Sequence, residues 1–208
     1  MPVIMCISAF AALVSMGGAP RASIMMGKGK QDEAEKILGN CTTMLVVVAL
    51  FLTGIIQLWG KDILMVFGAS NITISYAWNY MQIYSVGTIF VQLALGLNAF
   101  INAQGFAGIG MLTVVIGAVC NIILDPVFIF GFHMGVRGGA LATILSQGVS
   151  CVWIVCFLLG KRTTLRLKLK NMAPELSVMG PCITLGVAPF IMQFTESVLN
   201  ICFKTKVC

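Results

Sequence analysis

The chain has 208 residues, of which 59% are hydrophobic and only 10% charged, with a mean hydropathy of +0.99. A water-soluble domain carries about a quarter of its residues as charges, so these few cannot cover a water-facing surface. A soluble enzyme or a nucleic-acid-binding module is excluded, and the net charge of +6 reads as the basic loops of an integral membrane protein.

The predicted fold class is all-α, a polytopic transmembrane bundle of about six helices, since roughly 20 apolar residues are needed per crossing. The apolar runs are continuous rather than alternating, which argues against a transmembrane β-barrel. Charges punctuate the chain. Residues 2–26 form the first segment, interrupted by Arg21. The polar stretch 27–36 follows, where Asp32 and Lys36 are spaced to pair on one helix face. The second segment runs from Leu38 to Gly60, closed by Lys61 and Asp62 and a loop around residues 68–71. Between Ile63 and Leu124 there is no charge. Two helices, 76–101 and 107–131, fit there with their turn at NAQG, 102–105. A fifth helix spans 138–160, a basic stretch fills 161–170, and a sixth segment runs from Leu176 toward Phe203. Both basic connections fall on the same side of a six-helix count, as the positive-inside rule requires.

Within these spans little carries chemistry. Asp125 and Glu196 are the carboxylates well inside predicted helices, and an acid at bilayer depth is a functional candidate by default. Asn121 stands one turn before Asp125 on the same face. Pro126 follows and cannot donate to the carbonyl of Ile122. A carboxylate, an amide and a free carbonyl suit a proton or a hard cation such as Na⁺. Asp125 and Thr143 each lie nine residues from Met134, so an antiparallel hairpin places them at equal depth, about 13 Å from the turn. The same count from the turn at Gln104 brings Tyr84 near that level. A polar pocket of Tyr84, Asn121, Asp125 and Thr143 is therefore expected. The eight cysteines have no C-x-x-C spacing and sit mostly in apolar runs, where Cys acts as a small hydrophobe; no disulfide framework or metal centre is expected beyond Na⁺ at Asn121 and Asp125. His133, in a turn, has no partners at ligand spacing. Neither a phosphate-binding Walker motif nor a catalytic set is present, so the chain is not expected to be an enzyme.

Three stretches carry a family resemblance. GGAPRASIMMGKGKQDEAEKILGN (17–40), NAQGFAGIGMLTVVIGAVCNIILDPVFIFGFHMGVRGGALATILSQ (102–147) and LGVAPFIMQFTESVLN (185–200) resemble, in order, segments of bacterial multidrug and toxic compound extrusion (MATE) transporters. The resemblance implies twelve helices in two six-helix lobes, of which helices two to seven are present here. It also implies a partial first lobe over residues 1–160, a basic inter-lobe linker over 161–175, and the first helix of a second lobe over 176–208. The implied activity is antiport of organic-cation or amphipathic drugs against H⁺ or Na⁺, with no other cofactor, in the inner (plasma) membrane. Asn121, Asp125 and Thr143 match positions implicated in coupling-ion binding in some members, and Glu196 matches an acidic position used by others. The expected partners are the lipid bilayer, cationic or amphipathic small molecules and the missing remainder of a transporter, with no nucleic acid. A flippase for lipid-linked saccharides and a non-transporting membrane fragment or assembly partner are the alternatives.

Overall fold

The computed structural model describes residues 2–66, 74–160 and 162–207. The described residues form no strand. Seven helices follow in order: α1 (Pro2–Gly27), α2 (Gln31–Val66), α3 (Ile74–Val86), α4 (Thr88–Ala103), α5 (Ala107–Pro126), α6 (Val136–Leu159) and α7 (Leu176–Val207). Five are long and apolar enough to cross a membrane; α3 and α4, bent by 58° at Gly87, reach that length only when counted together, which would bring the number to six. The expected helix 76–101 is thus two pieces meeting at Gly87. The loop expected at 68–71 lies outside the described residues.

The turns show why the helices stop where they do. Gly29 adopts φ +72°; its N–H bonds to the Met26 carbonyl at 3.0 Å and the Lys30 N–H to Met25 at 2.9 Å. This left-handed glycine cap closes the open carbonyls of α1. The end of α4 repeats it: Gly105 has φ +88°, with Gly105 N–H on Asn102 and Phe106 N–H on Ile101. The polar stretch at 31–36 is already helical, with Asp32 and Glu33 in the first turn of α2, where negative charge suits the helix dipole. Lys36 does not take Asp32 as its partner. It faces Glu175 at 3.9 Å, while Glu33 takes Lys30 at 2.9 Å.

The main apolar core joins α1, α2, α4, α6 and α7 through Val14, Leu38, Leu45, Leu97, Phe100, Ile154 and Cys182. Close approach is built into it: a Cβ on Gly17 would collide with the Cys182 carbonyl, and one on Gly186 with the Leu13 carbonyl. Small residues on both helices let α1 and α7 meet backbone to backbone, the usual device where lipid offers no hydrophobic drive for association. The outer faces remain greasy. Phe51, Leu58, Met111 and Ile122 are all exposed, as side chains facing hydrocarbon are.

The basic stretch before α7 is fastened to the bundle. Gln104 Oε1 accepts from Thr163 Oγ1 at 2.7 Å and from the N–H groups of Thr164 and Leu165 at 3.0 and 2.9 Å. Glu35, buried in α2, accepts from the Arg166 N–H at 3.2 Å and pairs with Lys168. Asn40 accepts from the Glu175 N–H at 2.6 Å and donates to the Asn171 carbonyl at 3.3 Å.

Candidate functional site

A cavity of about 260 Å³ opens between α4, α5 and α6. Helix α5 contributes Thr113, Gly117 and Asn121, each four residues after the last, so they form one row along the helix. Helix α6 contributes Thr143, Ser146, Gln147 and Ser150, and α4 contributes Asn98. A Cβ on Gly117 would stand 2.6 Å from Ser150 Oγ, so the glycine makes room for a polar α6 face.

Most of the hydroxyl protons are already committed. Thr143 donates to the Gly139 carbonyl at 2.9 Å, Ser146 to Ala142 at 2.8 Å, Thr113 to Ile109 at 2.9 Å, and Ser150 crosses to the Thr113 carbonyl at 3.3 Å. Their oxygens therefore offer lone pairs to the cavity. Two amide atoms are both buried and unsatisfied: Asn98 Oδ1 and Asn121 Nδ2. Most buried polar atoms find a partner, so an open acceptor and an open donor at one cavity mark a place prepared for a ligand or water. No charged side chain is among the described residues lining it.

The expected site residues separate here. Asn121 and Thr143 meet at the cavity. Asp125 continues the α5 row one turn beyond Asn121, outside the lining, and has no ion pair among the described residues. Pro126 closes α5, and a π-helical turn follows over Val127–Gly131, with the Phe132 N–H reaching back to Val127 at 3.0 Å. Such a π-helical turn is a form often found at functional positions. Tyr84 is not at the cavity. It is 3% exposed, in a second apolar cluster with Val3, Ile7 and Met81, its ring stacked on Tyr80 at 5.8 Å. The bend at Gly87 turns α3 away from the line of α4, so depth counted along a straight helix misplaces it. Glu196 lies on the exposed face of α7.

Asn98, Thr113, Ser146 and Ser150 were not anticipated from the sequence. Their signal was there: positions 143, 146, 147 and 150 fall on one helical face, and 113, 117, 121 and 125 on another. Asn98 is an amide inside a charge-free apolar run, without a periodic partner to flag it.

A polar cavity between apolar helices, five of them in the chain long enough to cross a membrane, marks a polytopic membrane protein. The MatE family model matches residues 1–127, and the chain belongs to that family. Multidrug export protein MepA of Staphylococcus haemolyticus is 28% identical over 92% of this chain and 42% of its own length. The protein of that name from Staphylococcus aureus strain RF122 is 26% identical over 97% of this chain and 46% of its own. The chain thus spans about half the length of the curated relatives it matches. A solved inward-facing MATE family multidrug resistance transporter superposes with a TM-score of 0.89 at 24% identity, covering 95% of this chain and 45% of that one.

Proposed function

We propose that the chain supplies the drug-binding and ion-coupling half of a secondary antiporter in the plasma membrane. That antiporter exports amphipathic or cationic drugs against H⁺ or Na⁺ by alternating access. In this reading residues 1–160 are most of one lobe, 161–175 the linker and 176–208 the start of the second lobe. The observation that carries it is the cavity with Asn98 and Asn121 unsatisfied and Asp125 one turn away. A cationic drug entering that cavity and a proton or Na⁺ arriving at Asp125 compete for one negative charge. Each then favours a different arrangement of the bundle, which is the thermodynamic requirement for exchange. In this reading the π-helical turn after Pro126 is the element whose backbone changes between those arrangements. The relatives named as multidrug export proteins support the substrate class. A saccharide flippase would need cations in the cavity for its phosphates, and the described lining has none.

The test is binding. Tetraphenylphosphonium binding to the chain in nanodiscs should strengthen from acidic to alkaline pH. Asp125→Asn should flatten that dependence with folding unchanged. An unaltered pH profile in Asp125→Asn would remove Asp125 from the coupling. Expressed alone, the 208 residues are expected to give no ethidium efflux, because rocking requires two complete lobes.

A further inference from the structure

The basic stretch before α7 alternates like a ribbon. Thr163 and Leu165 are buried and Leu167 packs against the main core, while Arg162, Arg166, Lys168 and Lys170 are exposed. The ribbon lies along one face of α2. Gln31 Nε2 donates to the Thr164 carbonyl at 3.2 Å, Glu35 holds the Arg166 N–H and Lys168, and Thr43 Oγ1 donates to the Met172 carbonyl at 2.7 Å. A Cβ on Gly39 would collide with the Asn171 carbonyl. Positions 35, 39 and 43 continue at helical spacing into 47, 50, 54 and 58. There Val47, Leu50 and Leu58 are exposed and a Cβ on Gly54 would meet open space. The ribbon thus sits on the lipid-facing side of α2. Its depth follows from the far end of that helix, where exposed Trp59 beside Lys61 marks one edge of the hydrocarbon. About 30 Å of hydrocarbon takes about 20 helical residues, which puts the opposite edge near Gly39. The contacts at Glu35 and Gln31 lie one and two turns beyond it, among the lipid headgroups. Of the acids there, Glu33, Glu35 and Glu175 each pair with a lysine. Asp32 is left against Lys28, Arg162, Arg166 and Lys170, none of them in an ion pair among the described residues.

We propose that Arg162, Arg166 and Lys170 form a ridge that binds the phosphates of anionic phospholipids in the leaflet around the start of α2. Each guanidinium offers a planar fork of N–H donors that matches phosphate oxygens. A cation at the membrane surface is also drawn to an anionic leaflet, whereas a zwitterionic headgroup brings its own ammonium and gives no such net attraction. Lys168 is already matched by Glu35 and anchors the ribbon rather than the lipid. Bound lipid holds the ribbon against α2 from outside, while Gln31, Glu35 and Asn40 hold it from within. The lipid composition of that leaflet therefore bears on how firmly the entry of α7 is fixed. The ridge shares no residue with the polar cavity.

The experiment uses the 208-residue chain in phosphatidylcholine vesicles carrying a trace of spin-labelled phosphatidylglycerol or spin-labelled phosphatidylcholine. Electron paramagnetic resonance reads the fraction of each that the protein immobilises. Phosphatidylglycerol should be favoured about threefold or more. The preference should approach parity in about 1 M sodium chloride, where charges are screened beyond about 3 Å. Replacing the ridge together, Arg162→Gln with Arg166→Gln and Lys170→Gln, should remove most of it. Lys61→Gln, at the other end of α2, should keep it. Inorganic phosphate should compete no better than chloride at equal ionic strength. The proposal is overturned if the wild-type chain holds both lipids equally, if the preference survives the triple substitution, or if Lys61→Gln abolishes it. Displacement by low concentrations of phosphate would also overturn it, by making the ridge a site for a soluble anion. The wild-type comparison and its salt dependence decide the matter even if the triple variant does not fold.

Discussion

The side-chain oxygen of Gln104 holds the backbone N–H of Leu165 at 2.9 Å, across the turn that ends α4 and the segment that leads to α7. With Thr163 and Thr164 bound to the same oxygen, one amide fixes three consecutive residues, and the Leu165 side chain falls into the main core. The basic stretch is therefore part of the bundle, and the site hairpin α4–α5 is tied to the entry of α7.

Gln104→Ala should loosen that tie. Each lost bond is worth about 0.5–1.5 kcal/mol net, so amide exchange at Thr164 and Leu165 should rise about tenfold or more. Gln104→Glu keeps an acceptor and should stay near wild-type protection. Hydrogen exchange read by mass spectrometry distinguishes the two, and equal exchange in all three proteins would sink the idea.

The Lys168 ammonium is held above the ordinary lysine range, chiefly by its hydrogen bond to Glu35 and then by that carboxylate's charge. A raised folded-state value means the contribution is complete below the ordinary lysine pKa of about 10.4 and is lost as pH climbs through the raised value. The Lys168 side of this contact should therefore be indifferent to pH across the neutral range and weaken in strong alkali. Nitrogen-15 titration of Lys168 checks this, with Glu35→Gln expected to lower its midpoint.

Gly17 faces a backbone carbonyl rather than a flexible side chain, so a substitution there cannot be absorbed by rotation. Gly17→Val should force α1 and α7 apart and cost about 1–3 kcal/mol. Thermal unfolding in detergent and faster proteolysis near residue 176 are the readouts. Gly54, with open space around its Cβ position, is the control: Gly54→Ala should leave both unchanged.

Asn121 carries a buried donor that nothing satisfies, a cost of about 1–3 kcal/mol when dry. Asn121→Leu should therefore keep or raise the melting temperature while weakening tetraphenylphosphonium binding several-fold. A melting temperature lowered along with binding would mean that Asn121 supports the fold rather than the ligand.

Much of this was legible along the chain. An apolar run of about 20 residues has only one inexpensive conformation in hydrocarbon, the helix, so charges and glycines placed most helices, while α2 extends six or seven residues beyond its expected span at each end. Asn121 and Thr143 both line the cavity, but the count from the hairpin turn matches Thr143 with Asp125, which stands one helical turn outside that lining. Tyr84 escaped that arithmetic because a 58° bend at Gly87 is not written in hydropathy. The burial of Glu35 beneath Lys168 and the Asn98 side of the cavity were decided only in three dimensions. Each depends on which helix faces turn toward one another across distant parts of the chain. Periodicity reports the face a residue occupies, while its partner is chosen by the packing of the whole bundle.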